Sequence, residues 1–189
     1  MILKRVLPFA KDLLSKVITK GDIVVDATAG NGYDTVFLAE LVGETGHVYA
    51  FDVQAEAIKS TQEKLIQANL HSRSTLILDG HENVSTYVQS EIAAAIFNLG
   101  YLPGSNLEIV TKGKSTIQAL ESLLGMLKVG GIIVLVVYHG HIGGKEEKDA
   151  LMNYVQQLPQ SFAHVLSYQF LNQQNNPPFI IAIEKMKAN

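Results

Sequence analysis

The sequence predicts an open, doubly wound α/β fold: one domain over residues 1–189, with a seven-stranded, mostly parallel sheet closed by an antiparallel C-terminal hairpin. Three observations predict it. Short apolar runs alternate with helical patterns through most of the chain, which is the order of a parallel sheet built by right-handed crossovers. Hydrophobic residues make up 47% and charged residues only 17%, as expected when both sheet faces are covered. A glycine-containing turn, Gly30-Asn31-Gly32, directly follows the first apolar run, where such sheets bind ligands.

The elements follow in order. Leu3–Lys20 has the apolar period of an amphipathic helix, with Pro8 awkward in its interior. Ile23–Ala27 is the first strand, Asp34–Val42 a helix, and His47–Asp52 the second strand. Gln54–Leu70 carries Ala57, Ile58, Leu65 and Ala68 near a 3.6-residue period and reads as a helix. Ser74–Leu78 is the third strand, Asn83–Gln89 a short helix, and Ile92–Phe97 the fourth strand. Ser115–Leu127 is helical, with Gly130-Gly131 as its stop. Ile132–Tyr138 is β-branched and apolar throughout, hence a central strand. Lys145–Gln157 is a helix. Ala163–Leu171 and Pro178–Glu184 are joined by a loop too short for a crossover helix, which predicts an antiparallel pair.

The chain contains no cysteine and no tryptophan, which excludes disulfides, thiolate nucleophiles and thiolate metal sites. Its start has no signal-peptide pattern, and no run is apolar and long enough for a membrane span. A soluble, cytoplasmic protein without a membrane partner is expected. The net charge is −3, yet Lys4, Arg5, Lys11, Lys16 and Lys20 stand against Asp12 alone in the first twenty residues. That patch suits either a solvated helix face or a nucleic-acid backbone.

Five strand ends carry candidate chemistry. Around Gly30, Asn31 and Gly32 stand Asp26 before the turn and Asp34 after it. Two carboxylates repel a pyrophosphate and attract a cation, so the turn suits the ammonium and sulfonium of S-adenosyl-L-methionine better than a dinucleotide. A nicotinamide-dependent oxidoreductase would place a third glycine where Thr35 stands. Asp52 ends the second strand, where a carboxylate accepts ribose hydroxyls, and Gln54 follows it. Asp79-Gly80-His81 borders the adenine position, although Asp-Gly is also an ordinary turn. Asn98, followed by Gly100, Tyr101, Pro103 and Gly104, faces the methyl group of such a cofactor. An Asn carbonyl there can hold an amine in line, and Tyr101 can flank a planar base. Last, Tyr138-His139-Gly-His141 precedes Gly143-Gly144 and Glu146-Glu147. His139 is a candidate proton acceptor, and a metal is not expected from two histidines at this spacing.

With these loops assembled, the chain resembles the class I methyltransferases. Within them it is similar to the MnmM-type tRNA 5-aminomethyl-2-thiouridine methyltransferase family, formerly described as rRNA methylases. The resemblance spans nearly the whole chain and rests on Asp26-Ala-Thr-Ala-Gly-Asn-Gly-Tyr-Asp34, Asn98-Leu-Gly-Tyr-Leu-Pro-Gly104 and Tyr138-His-Gly-His-Ile-Gly-Gly144. It implies S-adenosyl-L-methionine as donor and the amine of 5-aminomethyl-(2-thio)uridine, in a tRNA anticodon, as acceptor. It implies Gly30, Asn31, Gly32, Asp34, Asp52, Gln54 and His81 as cofactor contacts, with Asn98, Tyr101, His139 and His141 as the acceptor wall. Thr28 departs from the class, which commonly has glycine there. Tyr33, Tyr101 and Tyr138 are candidate base-flanking aromatics, and Lys4, Arg5, Lys11, Lys112 and Lys114 candidate phosphate contacts. A homodimer would enlarge the RNA surface of so small a protein. A small-molecule or rRNA methyltransferase on the same fold is the alternative expectation.

Overall fold

The computed structural model describes residues 2–100 and 111–187. The helix α1 (Val6–Val17) precedes β1 (Ile23–Asp26), α2 (Tyr33–Val42), β2 (His47–Asp52), α3 (Ala55–Gln67) and β3 (Ser74–Leu78). Then come the single-turn α4 (Val84–Tyr87), β4 (Ile92–Leu99), α5 (Gly113–Met126), β5 (Leu127–Val137), α6 (Gly144–Gln156), β6 (Ala163–Tyr168) and β7 (Phe179–Lys185). The seven strands form one sheet in the order β3-β2-β1-β4-β5-β7-β6. The first five run parallel, and β7 is antiparallel to both β5 and β6.

Alternation along the strands sorts the core into two layers. Val24, Ala94, Ile96, Val134 and Val136 face Leu14 of α1, Leu38 of α2 and Leu65 of α3. Val25, Ala95, Phe97, Leu135 and Val137 face Val84 of α4, Leu120 of α5 and Leu151 of α6. Phe51 and Phe97 are fully buried, and each such side chain contributes about 1.5–3 kcal/mol by leaving water. The chain runs outward from β1 to β3 and returns to β4 beside β1. This reversal opens a crevice at the carboxyl ends of β1 and β4, where Asp26 pairs with Ile96.

Element types match the expectation, and β2 and β3 match to the residue. Other boundaries moved for identifiable reasons. Pro8 falls in the first turn of α1, where its missing N–H costs no helical bond. Helix α1 stops at Val17, and the Asp22 carboxylate closes the following turn by accepting the Thr19 N–H at 2.7 Å. Gly130-Gly131 is not a helix stop: α5 passes directly into β5, which contains both glycines. Gly130 has φ +76°, and a Cβ on Gly131 would lie 2.8 Å from the Ala93 carbonyl oxygen. The ladder to β4 shifts register between Ile92 and Ala94 at this point, so the pair serves a bulge. Strand β6 ends at Tyr168, short of Leu171, and β4 extends to Leu99, placing Asn98 inside the strand. Among the described residues, no helix is long and apolar enough to cross a membrane.

Candidate active site

The turn after β1 crosses the sheet edge by backbone bonds. Ala27 N–H donates to the Ile96 carbonyl of β4, and Ala29 N–H to the Phe51 carbonyl of β2, at 2.9 and 2.8 Å. Gly30 and Gly32 adopt φ +52° and +82°, a region costly for residues with a Cβ. At Gly32 there is also no room: a Cβ would lie 2.7 Å from the Thr61 backbone. Half-buried Asn31 stands between them. Thr28 explains its departure from glycine, since its hydroxyl oxygen accepts the Asn98 N–H at 2.7 Å. A side chain thereby extends the β1–β4 ladder one step past the end of β1.

Three carboxylates surround this turn. Asp26 is fully buried and accepts from the Thr28 N–H at 3.2 Å and the Thr35 hydroxyl at 2.6 Å. Burial, reinforced by the charge of Asp34, pushes its pKa up to about 7. Asp52 spans the crevice, with one oxygen accepting the Gly30 N–H at 2.9 Å and the other the Gln54 N–H at 3.0 Å. Each oxygen keeps a lone pair free of these bonds. Asp34 opens α2; one oxygen accepts from the Asn98 amide at 2.8 Å, and the other lies 3.5 Å from the Lys11 ammonium of α1.

On the β3 side, His81 is buried, its Nδ1 bonded to the Ala27 carbonyl at 3.0 Å and its ring edge-on to Phe97. A carbonyl accepts only, so Nδ1 carries the proton and Nε2 is an acceptor. Nε2 is buried and has no hydrogen-bond partner among the described residues. Burial lowers the His81 pKa, which favours this neutral form. Glu82 folds back over Gly80, its carboxylate 2.3 Å from where a Cβ would be. Asp79, by contrast, is committed to its own turn: it accepts from Gly80 N–H, Asn83 and the Tyr87 hydroxyl.

On the β4–β5 side, Asn98 and Tyr138 converge on Asp34. Burial and the Asp34 charge raise the Tyr138 pKa. His139 turns the other way, its Nε2 3.2 Å from the Pro177 carbonyl and its ring edge-on to Phe179. Asn98 thus contacts α2, while His139 contacts the start of β7 and the residue before it but one. Tyr33 is 67% exposed and sits beneath the Lys64 ammonium of α3, away from Asn98. Tyr101 falls outside the described residues, as do Pro103 and Gly104. Among the described residues, no cluster of three acidic, histidine or cysteine groups is disposed to hold a metal.

Glu147, marked in the sequence only as one of two acids after Gly143-Gly144, is the centre of a buried network. Glu147 of α6, 3% exposed, accepts from the Thr111 and Thr116 hydroxyls at 2.8 and 3.1 Å. Thr111 in turn accepts the Gly100 N–H at 2.9 Å. The carboxylate thus anchors the chain immediately after Asn98 and again at the start of α5. Burial raises the Glu147 pKa. An acidic residue beside Glu146 in a charged helix start carries no sequence mark of burial.

A model of the family described as "Putative rRNA methylase" matches residues 48–184. The chain belongs to that family. The chloroplastic tRNA (mnm(5)s(2)U34)-methyltransferase of Arabidopsis thaliana is 36% identical over 192 residues, spanning 96% of this chain and 70% of that protein. A crystal structure of a Streptococcus mutans methyltransferase in complex with SAH is 46% identical, with TM-score 0.91 over 98% of this chain and 100% of that one. The rRNA methylase structure from Clostridium thermocellum is 44% identical, with TM-score 0.97 over the same shares. This rRNA-methylase family member is an S-adenosylmethionine-dependent methyltransferase with the Rossmann-like fold of its relatives. Its residues suit that cofactor on their own evidence. The free lone pairs of Asp52 match a ribose diol, and the unpartnered His81 Nε2 matches an adenine N–H. The acidic flanks of the turn, Asp26 and Asp34, match a cationic methionine end.

Proposed function

We propose that the enzyme methylates the amine of 5-aminomethyl-(2-thio)uridine at the wobble position of tRNA. The observation that carries this reading is the likeness to the Arabidopsis tRNA methyltransferase over 96% of the chain, and the geometry of Asn98 supports it. A carboxylate accepts only, so the Asp34 contact turns the Asn98 NH₂ group toward α2. Its Oδ1 is then the atom left to accept an N–H from an incoming amine. Asn98 and Thr28 hold each other by the backbone bond at 2.7 Å, which makes this acceptor rigid.

In this reading, Asp52 and Gln54 hold the ribose side, His81 with Gly80 the adenine, and the turn Gly30-Asn31-Gly32 between Asp26 and Asp34 the methionine end. When bound, S-adenosylmethionine supplies a methyl group made electrophilic by its sulfonium. Asn98 orients the amine lone pair toward that carbon. The N–C bond forms as the S–C bond breaks, and the amine then sheds one proton. His139 is the proposed acceptor of that proton: the Pro177 carbonyl takes the Nε2 N–H, which leaves Nδ1 as the ring's acceptor atom. Tyr101 belongs to the same wall by its place in the chain.

Mass spectrometry of nucleosides from tRNA incubated with the enzyme and labelled methyl donor tests the reading. A labelled 5-methylaminomethyl uridine derivative is expected. Label confined to ribosomal RNA would favour a second reading, suggested by the family's description. Label only in free small molecules would overturn both.

A further inference from the structure

The loop joining β6 to β7 has no part in the site described above, yet it is fastened to that site's rim. It reads Leu171-Asn172-Gln173-Gln174-Asn175-Asn176-Pro177 and holds five consecutive amides without a charge. Residues 171–176 are all exposed. Its last turn is pinned to the post-β5 loop: the Pro177 carbonyl meets His139, and a Cβ on Gly140 would lie 3.5 Å from the Asn176 side chain. Asn175 and Asn176 both take left-handed φ, +64° and +52°, a conformation that asparagine tolerates better than most residues. The loop tip is thus held in a defined shape beside the acceptor wall.

Its other end is fastened to the basic helix. Tyr168 stacks on Phe9 with ring centroids 4.0 Å apart and donates its hydroxyl to the Lys4 carbonyl at 2.7 Å. Exposed Arg5 is adjacent, and Lys11 on the same helix reaches Asp34 of the site. Arg5 is the extended residue that precedes this helix, and Lys11 lies in its second turn. Cations hold phosphates without regard to sequence, whereas amides present donor and acceptor together and match base edges. Sequence-specific RNA recognition reads unpaired bases in this manner.

We propose that Asn172–Asn176 reads the edges of the unpaired bases flanking the methyl-accepting nucleotide, while Arg5 and Lys11 hold their phosphates. This rests on the RNA reading above. The test uses the full chain with the substitutions Asn172→Ala, Gln173→Ala, Gln174→Ala, Asn175→Gly and Asn176→Gly, the glycines keeping the left-handed backbone. Stem-loop RNAs carrying 5-aminomethyluridine, with every base permuted on either side, serve as substrates beside the free nucleoside. The wild-type enzyme is expected to discriminate among the stem-loops by kcat/KM. The variant should lose about tenfold or more of that discrimination. Its S-adenosylhomocysteine affinity, nucleoside turnover and salt dependence should stay as in the wild type. Charge reversal at Arg5 should instead weaken all stem-loops alike and flatten the salt dependence. Equal discrimination in variant and wild type would overturn the proposal. So would a uniform loss accompanied by a change of oligomeric state in light scattering, which would make the loop a contact between copies of the chain. A wild-type enzyme that methylates none of the stem-loops overturns the RNA reading itself, and the loop's role with it.

Discussion

The two halves of the crevice are built differently. On the proposed cofactor side, carboxylates are satisfied mainly by backbone N–H groups at the ends of β1 and β2: Asp52 takes Gly30 and Gln54, and Asp26 takes Thr28 together with the Thr35 hydroxyl. On the acceptor side, side chains meet across long stretches of chain. Asn98 meets Asp34, Glu147 meets Thr111, and His139 meets Pro177. In the proposed function, the cofactor would be held by this backbone shape, and acceptor choice would rest on these long-range contacts, each of which one substitution can remove.

The sharpest break of this comparison is Asn98→Ala. Turnover should fall about 100-fold or more, the scale of losing a positioned polar group in a reaction driven by orientation. S-adenosylhomocysteine affinity, read by calorimetry, should change little. Equal losses in both would erase the boundary between the two halves. Asp52→Ala is the reciprocal case: cofactor affinity should weaken by about 1–3 kcal/mol, because the ribose hydroxyls lose their proposed acceptor. Unchanged affinity would remove Asp52 from the cofactor side.

Glu147→Ala should lower unfolding stability by about 1–3 kcal/mol in urea titration, since the Thr111 hydroxyl loses its acceptor and Thr116 keeps only the Lys112 carbonyl. Glu147→Gln keeps an acceptor oxygen and should recover part of the loss. A full loss in both variants would show that charge, not hydrogen bonding, matters there.

A smaller effect concerns pH. The folded-state pKa of Asp26, about 7, lies above its ordinary value of 3.8. Between these values the folded chain holds a proton that the unfolded chain has released, so this group's contribution is full below pH 4 and is lost as pH rises through 7. The stability difference between the wild type and Asp26→Asn should shift against the wild type across that window. A difference constant from pH 4 to pH 8 would mean that Asp26 is ionised throughout. Smallest of all, Lys11→Ala should change stability by no more than about 1 kcal/mol, as for a partly exposed ion pair; a larger loss would place α1 within the acceptor side's structural frame.

Much of this was legible along the chain. The alternation of apolar runs and helical patterns named each strand and α-helix of the described residues, and the glycine turn after β1 was visible because its parts are neighbours in sequence. Thr28 was visible as an exception, but its reason lay across the sheet in the Asn98 N–H. Gly130-Gly131 looks the same before a helix stop or a bulge, and only pairing with β4 distinguishes them. Asp79 and Asp52 both end apolar runs, and the Asn83 and Tyr87 partners that occupy Asp79 come from a turn that folds back on it.

The order of residues alone determined the alternation of strands and helices, the cofactor turn and its acidic flanks, because those depend on local periodicity and backbone freedom. Tertiary structure decided which carboxylate is buried, which amide meets Asp34 and which distant loops come together. Burial and hydrogen-bond partnership belong to pairs of residues, and the pairs exist only once the sheet has brought the ends of β1, β4 and β5 together.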